Sequence, residues 1–248
     1  MAAFKDHFSK KSGDYSKFRP SYPPELYLYL SQICADHDTA WDCATGTGQA
    51  ARGLADYFNC IVATDASEKQ IANVSGPDHI FFRVAAAEKS SISSSTVDLV
   101  VVAQALHWFA HDGFYQEVKR VLKPDGIFVA WTYNLLVISP EIDRIIEKLN
   151  TDIVGEYWPS ERQLVNDNYR TIDFPFQEIT IPSFAMETEW SLEHLMGYLG
   201  TWSSVARYRA AKGQDPLQDI MADLSVIWGC PKDTKRIKWP LSFRAGRC

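Results

Sequence analysis

The residues best placed to do chemistry lie in the run Asp42-Cys43-Ala44-Thr45-Gly46-Thr47-Gly48-Gln49-Ala50-Ala51. Its Gly46-x-Gly48-x-x-Ala51 pattern puts small side chains where a backbone turns tightly, meets a ligand closely and packs a helix against a strand. Asp65 comes 19 residues after Gly46, the place in a βαβ unit from which a carboxylate accepts ribose hydroxyls. The other role open to Asp65, capping the next helix, is filled by Ser67-Glu68-Lys69-Gln70, a capping box with Ser67 as N-cap and Gln70 as its partner. That leaves Asp65 for a ligand. Asp42 sets the sign of the ligand, because a carboxylate beside the loop repels a pyrophosphate and attracts an ammonium group. A plain strand-end acid is the competing reading.

His107 and Trp108 follow a run of β-branched residues, at the carboxyl edge where open α/β sheets hold their ligands. An imidazole there acts as a base or as a hydrogen-bond donor to an acceptor oxygen, with Trp108 as an apolar wall; a structural histidine is the alternative. His107 and His111 have the i, i+4 spacing of a metal pair, but no H-E-x-x-H pattern accompanies them, and no metal is expected. Further on, Tyr157, Trp158, Trp190, Tyr198, Trp202 and Tyr208 are dense enough to wall a dry acceptor pocket. Trp202 is the candidate contact, and core packing is the competing use of these rings.

The elements that must position these residues read clearly in the first half. Apolar runs at 39–44, 60–65, 80–85, 97–103 and 127–133 predict strands, with helices at 49–58, 67–74 and 114–122 between them. The pattern is α/β, a doubly wound, Rossmann-like sheet. After Tyr133 the rhythm breaks. Ser139-Pro140 starts a helix, 177–184 predicts a sixth strand, Ser191 and Asp215-Pro216 start further helices, and 235–245 predicts a last strand in which Pro240 marks an edge or a bulge. One domain is expected: an N-terminal lid segment at 1–38, a cofactor core at 39–134, a cap with the sixth strand at 135–233, and the last strand at 234–248.

A ribose, an ammonium and a sulfonium without phosphate describe S-adenosylmethionine. Asp42-x-x-x-Gly46-x-Gly48 with Asp65 resembles the first two motifs of class I methyltransferases that use it. Ala85-Ala86-Ala87-Glu88, Val97-Asp98-Leu99-Val100, Gln104-Ala105-Leu106-His107-Trp108-Phe109 and Leu122-Lys123-Pro124-Asp125-Gly126 resemble the later motifs in order. Tyr15-x-x-x-Arg19-Pro20, Leu106-His107-Trp108-Phe109, Thr201-Trp202-Ser203 and Trp239-Pro240-Leu241 are similar to the trans-aconitate methyltransferase-like group. The resemblance implies a seven-stranded sheet with a helical, aromatic-rich cap after the fifth strand. It implies S-adenosyl-L-methionine as cofactor, S-adenosyl-L-homocysteine as product, and cofactor contacts from Tyr15, Arg19, Asp42, Ala44, Gly46, Gly48, Asp65, Ala66, Ala87, Glu88 and Gln104. Arg19 would pair with the cofactor's carboxylate, with Tyr15 beside it. Ala86 stands where many relatives carry an acid for the adenine amino group, so adenine recognition is expected from backbone groups and Ala87. His107 is the expected catalytic residue, and Trp108 and Trp202 the substrate contacts.

The expected activity is methyl transfer to a small organic molecule, namely carboxyl O-methylation of a small acid. The alternatives are N- or phenolic O-methylation, a non-catalytic S-adenosylmethionine-binding protein, and, last, an NAD-dependent oxidoreductase. Asp42 and the lack of a second nucleotide-binding half after Tyr133 argue against the oxidoreductase. The 248 residues are 46% hydrophobic, enough for a substantial core. Against 31 acidic residues stand 25 basic ones, a net charge of −6 with no basic block, which excludes a nucleic-acid partner. Five cysteines form no C-x-x-C pair, and no signal core or membrane span of ~18 apolar residues is visible. The expectation is a cytoplasmic protein, monomer or homodimer, away from membranes.

Overall fold

The computed structural model describes residues 18–248; Tyr15 lies outside them. The first half forms α1 (Pro24–Gln32), β1 (Thr39–Cys43), α2 (Gln49–Leu54), β2 (Cys60–Asp65), α3 (Glu68–Ala72), β3 (Ile80–Val84), β4 (Val97–Ala103), α4 (Asp112–Val121) and β5 (Leu122–Tyr133). The second half adds α5 (Pro140–Lys148), α6 (Arg162–Asn166), β6 (Gln177–Glu178), β7 (Ala185–Trp190), α7 (Leu192–Gly200), α8 (Ser203–Lys212), α9 (Gln218–Trp228) and β8 (Lys235–Arg247). The sheet runs β3-β2-β1-β4-β5-β8-β6. Strands β1 to β5 are parallel to their neighbours and β8 is antiparallel to β5. This is the doubly wound sheet expected, with an eighth strand, β7, paired to the half of β8 that projects past β5. The strand order reverses at β1 and β4, which fixes the ligand cleft outside their carboxyl ends.

Strands β4 and β5 are apolar on both faces because both faces are covered. Trp41, Val100, Val102 and Phe128 meet Phe114 of α4 on one side. Ala40, Leu99, Val101 and Trp131 face the other, in a core that continues through Trp239 and Trp190 into the cap helices. Among the described residues no helix is long and apolar enough to cross a membrane.

The departures from expectation have local causes. Helix α2 stops at Leu54 because its last turn tightens to i→i+3 bonds, from Ala55 N to Arg52 O (3.3 Å) and from Tyr57 N to Leu54 O (2.9 Å). Strand β5 starts early, at Leu122 opposite Val97. Pro124-Asp125-Gly126 then loops out with Asp125 at φ 61°, and pairing resumes at Leu99 and Ile127. The single strand expected at 177–184 is two residues of β6; Ile179 N still donates to Ala245 O (2.9 Å), and Pro182 has no N–H with which to resume a ladder. Strand β7 follows it instead, with Met186 and Trp190 buried and Glu187 and Glu189 turned away. Pro240 sits where β8 passes from β5 to β7. Helix α9 starts at Gln218, after Asp215 Oδ1 accepts from Leu217 N (3.2 Å) while Arg209 donates to both of its oxygens.

Candidate active site

The chain leaves β1 through a left-handed turn: Ala44 has φ 59°, Gly46 φ 53° and Gly48 φ 77°. A Cβ on Gly48 would come within 2.8 Å of Arg52 and 3.2 Å of Phe82, whereas one on Gly46 would meet nothing within 4 Å. Gly48 is therefore required by its φ, the Arg52 tip being free to swing away and Phe82 needing to give only slightly, and Gly46 borders open space. Asp42 is fully buried beneath this loop. Its Oδ2 accepts from Thr45 Oγ1 (2.5 Å) and Ala51 N (3.0 Å), which staples the start of the loop to the first turn of α2. Its Oδ1 is buried with no hydrogen-bond partner. Burial pushes the carboxyl up to about 7, with the charge of Asp65 adding to the effect. A cation brought to Oδ1 would pull it back down.

Asp65 corrects the sequence reading. It is not left over by the capping box: its Oδ1 accepts from Ser67 N (2.8 Å) and its Oδ2 from Gly46 N (3.0 Å). Ser67 does cap α3, accepting from Gln70 N (3.3 Å), but Asp65, two residues before it, takes the Ser67 N–H within i→i+2 reach. A carboxylate has about four acceptor positions, so capacity remains for a ribose hydroxyl. Beside it Ala85 N donates to Asp65 O (3.0 Å), and Ala86 and Lys89 close a turn. Ala66, Ala86 and Glu88 are exposed, and Ala87 packs on the core.

At the end of β4, Gln104 is, after Ala44, the second left-handed non-glycine residue of the cleft, at φ 57°. Its Oε1 accepts from Thr132 Oγ1 (2.6 Å) and Tyr133 N (2.9 Å), and its Nε2 donates to Tyr133 O (3.0 Å). The side chain locks the end of β5. His107 follows in a short helical turn, with Nδ1 2.8 Å from the hydroxyl of Tyr169 and its ring 4.6 Å from that of Trp108. Burial, reinforced by the charge of Arg162, pulls the imidazole down to about 3, so it is neutral throughout the physiological range. Tyr169 is a partner that no sequence motif pointed to. It is fully buried, left-handed at φ 59°, and anchored by Arg244, which donates to its carbonyl (2.9 Å).

Arg19 donates to the Tyr133 hydroxyl (2.8 Å) and lies 5.0 Å over the Tyr198 ring. Gln49 Nε2 donates to Pro20 O (3.1 Å), tying this segment to the start of α2. Facing it, Arg162 of α6 donates to Asn134 Oδ1 (2.7 Å) and stacks 4.6 Å from the Trp158 ring. Trp202 is not an exposed loop aromatic. As the residue before α8 it is 5% exposed, and its ring lies 5.6 Å from Trp158 and 6.3 Å from Tyr198. It supports the ring on which Arg162 rests. Sequence reading missed Arg162, α6 and α8, because nothing periodic marks 155–169 or 203–212. The structure thus brings Arg19, Asp42, Gly46, Gly48, Asp65, Gln104, His107 and Trp108 to the carboxyl edge of β1, β4 and β5.

These residues fit S-adenosylmethionine: an unpartnered buried acid oxygen for a cation, a second acid for a ribose, and an arginine for a carboxylate. The comparisons agree. The family model of the methyltransferase domain matches residues 41–130. A Dictyostelium discoideum protein named as a methyltransferase is 36% identical over 225 residues, 89% of this chain and 86% of that one. A Saccharomyces cerevisiae protein named as an S-adenosylmethionine-dependent methyltransferase is 29% identical over 65% of this chain and 58% of its own. Among solved structures, one described as a type II methyltransferase from Anaeromyxobacter dehalogenans is 39% identical with a TM-score of 0.88, covering 93% of this chain and 98% of that one. The chain belongs to the class I S-adenosylmethionine-dependent methyltransferases.

Proposed function

We propose that the protein methylates a carboxylate of a small organic acid. The observation that carries this is His107, half-buried after β4 with Nδ1 2.8 Å from the Tyr169 hydroxyl, where desolvation and the charge of Arg162 hold the imidazole neutral. In the tautomer in which Tyr169 donates to Nδ1, the proton sits on Nε2, and the imidazole meets an acceptor oxygen as a hydrogen-bond donor. A base that weak does not deprotonate a phenol or an ammonium of pKa ~10, whereas a carboxyl of pKa ~4 is already ionised at neutral pH.

The cofactor supplies an electrophilic methyl group on a sulfonium. The chain's own residues supply alignment: Asp42 and Arg19 hold the amino-acid end, Asp65 the ribose, and His107 with Trp108 the acceptor. Fixing donor and acceptor in near-attack geometry removes roughly 7 kcal/mol or more of the barrier. The aromatic walls exclude water where opposite charges disappear. The test is S-adenosylhomocysteine formation from panels of small acids, phenols and amines, with wild type, His107→Gln and His107→Ala. Acids alone should turn over, and His107→Gln, which keeps an N–H donor, should stay within about tenfold of wild type, less than the 10²–10⁴ that loss of a general base costs. A phenol or amine methylated in wild type and lost by more than about 100-fold in His107→Gln would overturn the reading.

A further inference from the structure

The sheet ends at β3, and among the described residues no strand lies beyond it. The phase of its backbone is fixed at both ends, because Ile61 N donates to His79 O (2.9 Å) and Ala85 N to Asp65 O (3.0 Å). Odd-numbered residues from 79 to 85 therefore bond to β2. The backbone groups of Ile80, Phe82 and Val84 point away from it, although Ile80 N is taken by Pro77 O (3.0 Å). The strand is apolar where it is accessible: Phe81 is 45% and Val84 50% exposed, and the neighbouring α3 buries none of its own residues. Arg83, on the same face as Phe81, carries the one charge of the strand, and its guanidinium lies 5.9 Å from the Phe81 ring. A free edge of this kind is a template for another strand.

We propose that β3 pairs antiparallel with β3 of a second copy about a two-fold axis at Phe82, so that the protein is a homodimer with one sheet running through both subunits. A two-fold interface must be self-complementary, and Ile80-Phe81-Phe82-Arg83-Val84 is so in this register. Phe82 faces Phe82 and exchanges both backbone bonds, while Val84 N reaches Ile80 O of the other copy. On the opposite face each Phe81 stands against the other copy's Arg83 in a non-hydrogen-bonded pair, the closer kind, where a guanidinium meets a ring. Charge and burial select this register from its neighbours. A shift of two residues one way sets Arg83 against Arg83, and the other way leaves Val84 opposite Asp78. The other free edges lack such symmetry: β6 is two residues long, and β7 paired about Thr188 would set Glu187 against Glu189. The pairing is independent of which acceptor is methylated.

The experiment is sedimentation velocity over a range of micromolar concentrations. Wild type should sediment as a dimer of 28.1 kDa chains. F81K, which sets a lysine against Arg83, should weaken the dimer at least tenfold. F81E, which sets a carboxylate there, should stay within threefold of wild type, and F81K/R83E, which reverses the pair, should restore the dimer. All three should bind S-adenosylhomocysteine within threefold of wild type, which reports their folding. A measurement without variants stands beside these: amide exchange in the wild-type dimer should be as slow at Phe82 and Val84 as at Phe81 and Arg83. A wild type that is monomeric throughout, a dimer indifferent to F81K, or equal weakening by F81K and F81E overturns the proposal. So does fast exchange at Phe82 and Val84 in the dimer, which would place the interface elsewhere.

Discussion

The two halves of the cleft are built by different means. Between Asp42 and Asp65 one βαβ unit does everything, and the decisive bonds run to backbone: Asp42 to Ala51 N, Asp65 to Gly46 N and Ser67 N. Across the cleft, Asn134, Arg162, His107 and Tyr169 come from separate segments and meet through an amide, a guanidinium, an imidazole and a hydroxyl. A site held by backbone tolerates little change and recognises one cofactor. A site held by side chains can be retuned residue by residue, which suits the half proposed above to hold the acceptor.

That contrast is open to attack at several points. Gly48→Val should do the most damage, since it demands φ 77° of a branched residue and sets its Cβ 3.2 Å from the Phe82 ring. Backbone strain alone is worth about 1–3 kcal/mol, and calorimetry should find S-adenosylmethionine binding weakened by more than 100-fold. Near-normal binding would mean the loop is less rigid than its bonds imply.

Asp42→Asn should act in opposite directions on stability and on binding. The folded carboxyl titrates at about 7, against ~3.9 in an unfolded chain. Between these values the folded state holds more protons, so stability of the ligand-free protein falls as pH rises from about 4 to 7, and the penalty is complete above 7. A shift of about 3 units corresponds to roughly 4 kcal/mol, an upper bound. Urea melts should therefore show Asp42→Asn more stable than wild type at pH 8 but not at pH 4, with cofactor affinity at least tenfold lower. A variant less stable than wild type at pH 8 would mean that the staple outweighs the buried charge.

Tyr169→Phe sharpens the acceptor side. Losing one buried hydroxyl should cost about 1 kcal/mol in a melt, while turnover falls roughly tenfold, one unit of about 1.4 kcal/mol in the barrier, and cofactor affinity stays put. A parallel loss of cofactor affinity would contradict its role through His107. The smallest effect is a flat line: at saturating cofactor, kcat/KM for an acid should show no limb near pH 6.5, because the His107 imidazole titrates at about 3. A limb at 6.5 would restore it as a base.

The same contrast explains what was legible. Strands β2 and β4 were bounded to the residue and β1 nearly so, because fully buried strands are unbroken apolar runs that stop at turn residues. Gly46, Gly48 and Asp65 were readable because their spacing follows from one local unit, although the double backbone anchoring of Asp65 was not. Strand β7 left a signal that went unread, the alternation Met186-Glu187-Thr188-Glu189-Trp190. Arg162 and Tyr169 left none. Their roles arise from partners far away in the chain, Tyr169 lying 62 residues from His107, and no periodicity encodes such a meeting.

The central claim is the chemical class of the product. The direct measurement incubates the protein with S-adenosylmethionine carrying a labelled methyl group and a low-molecular-weight metabolite extract, then treats the products with alkali. A methyl ester releases its label as volatile methanol, which is the predicted result; label that survives alkali on nitrogen or a phenolic oxygen would contradict carboxyl methylation.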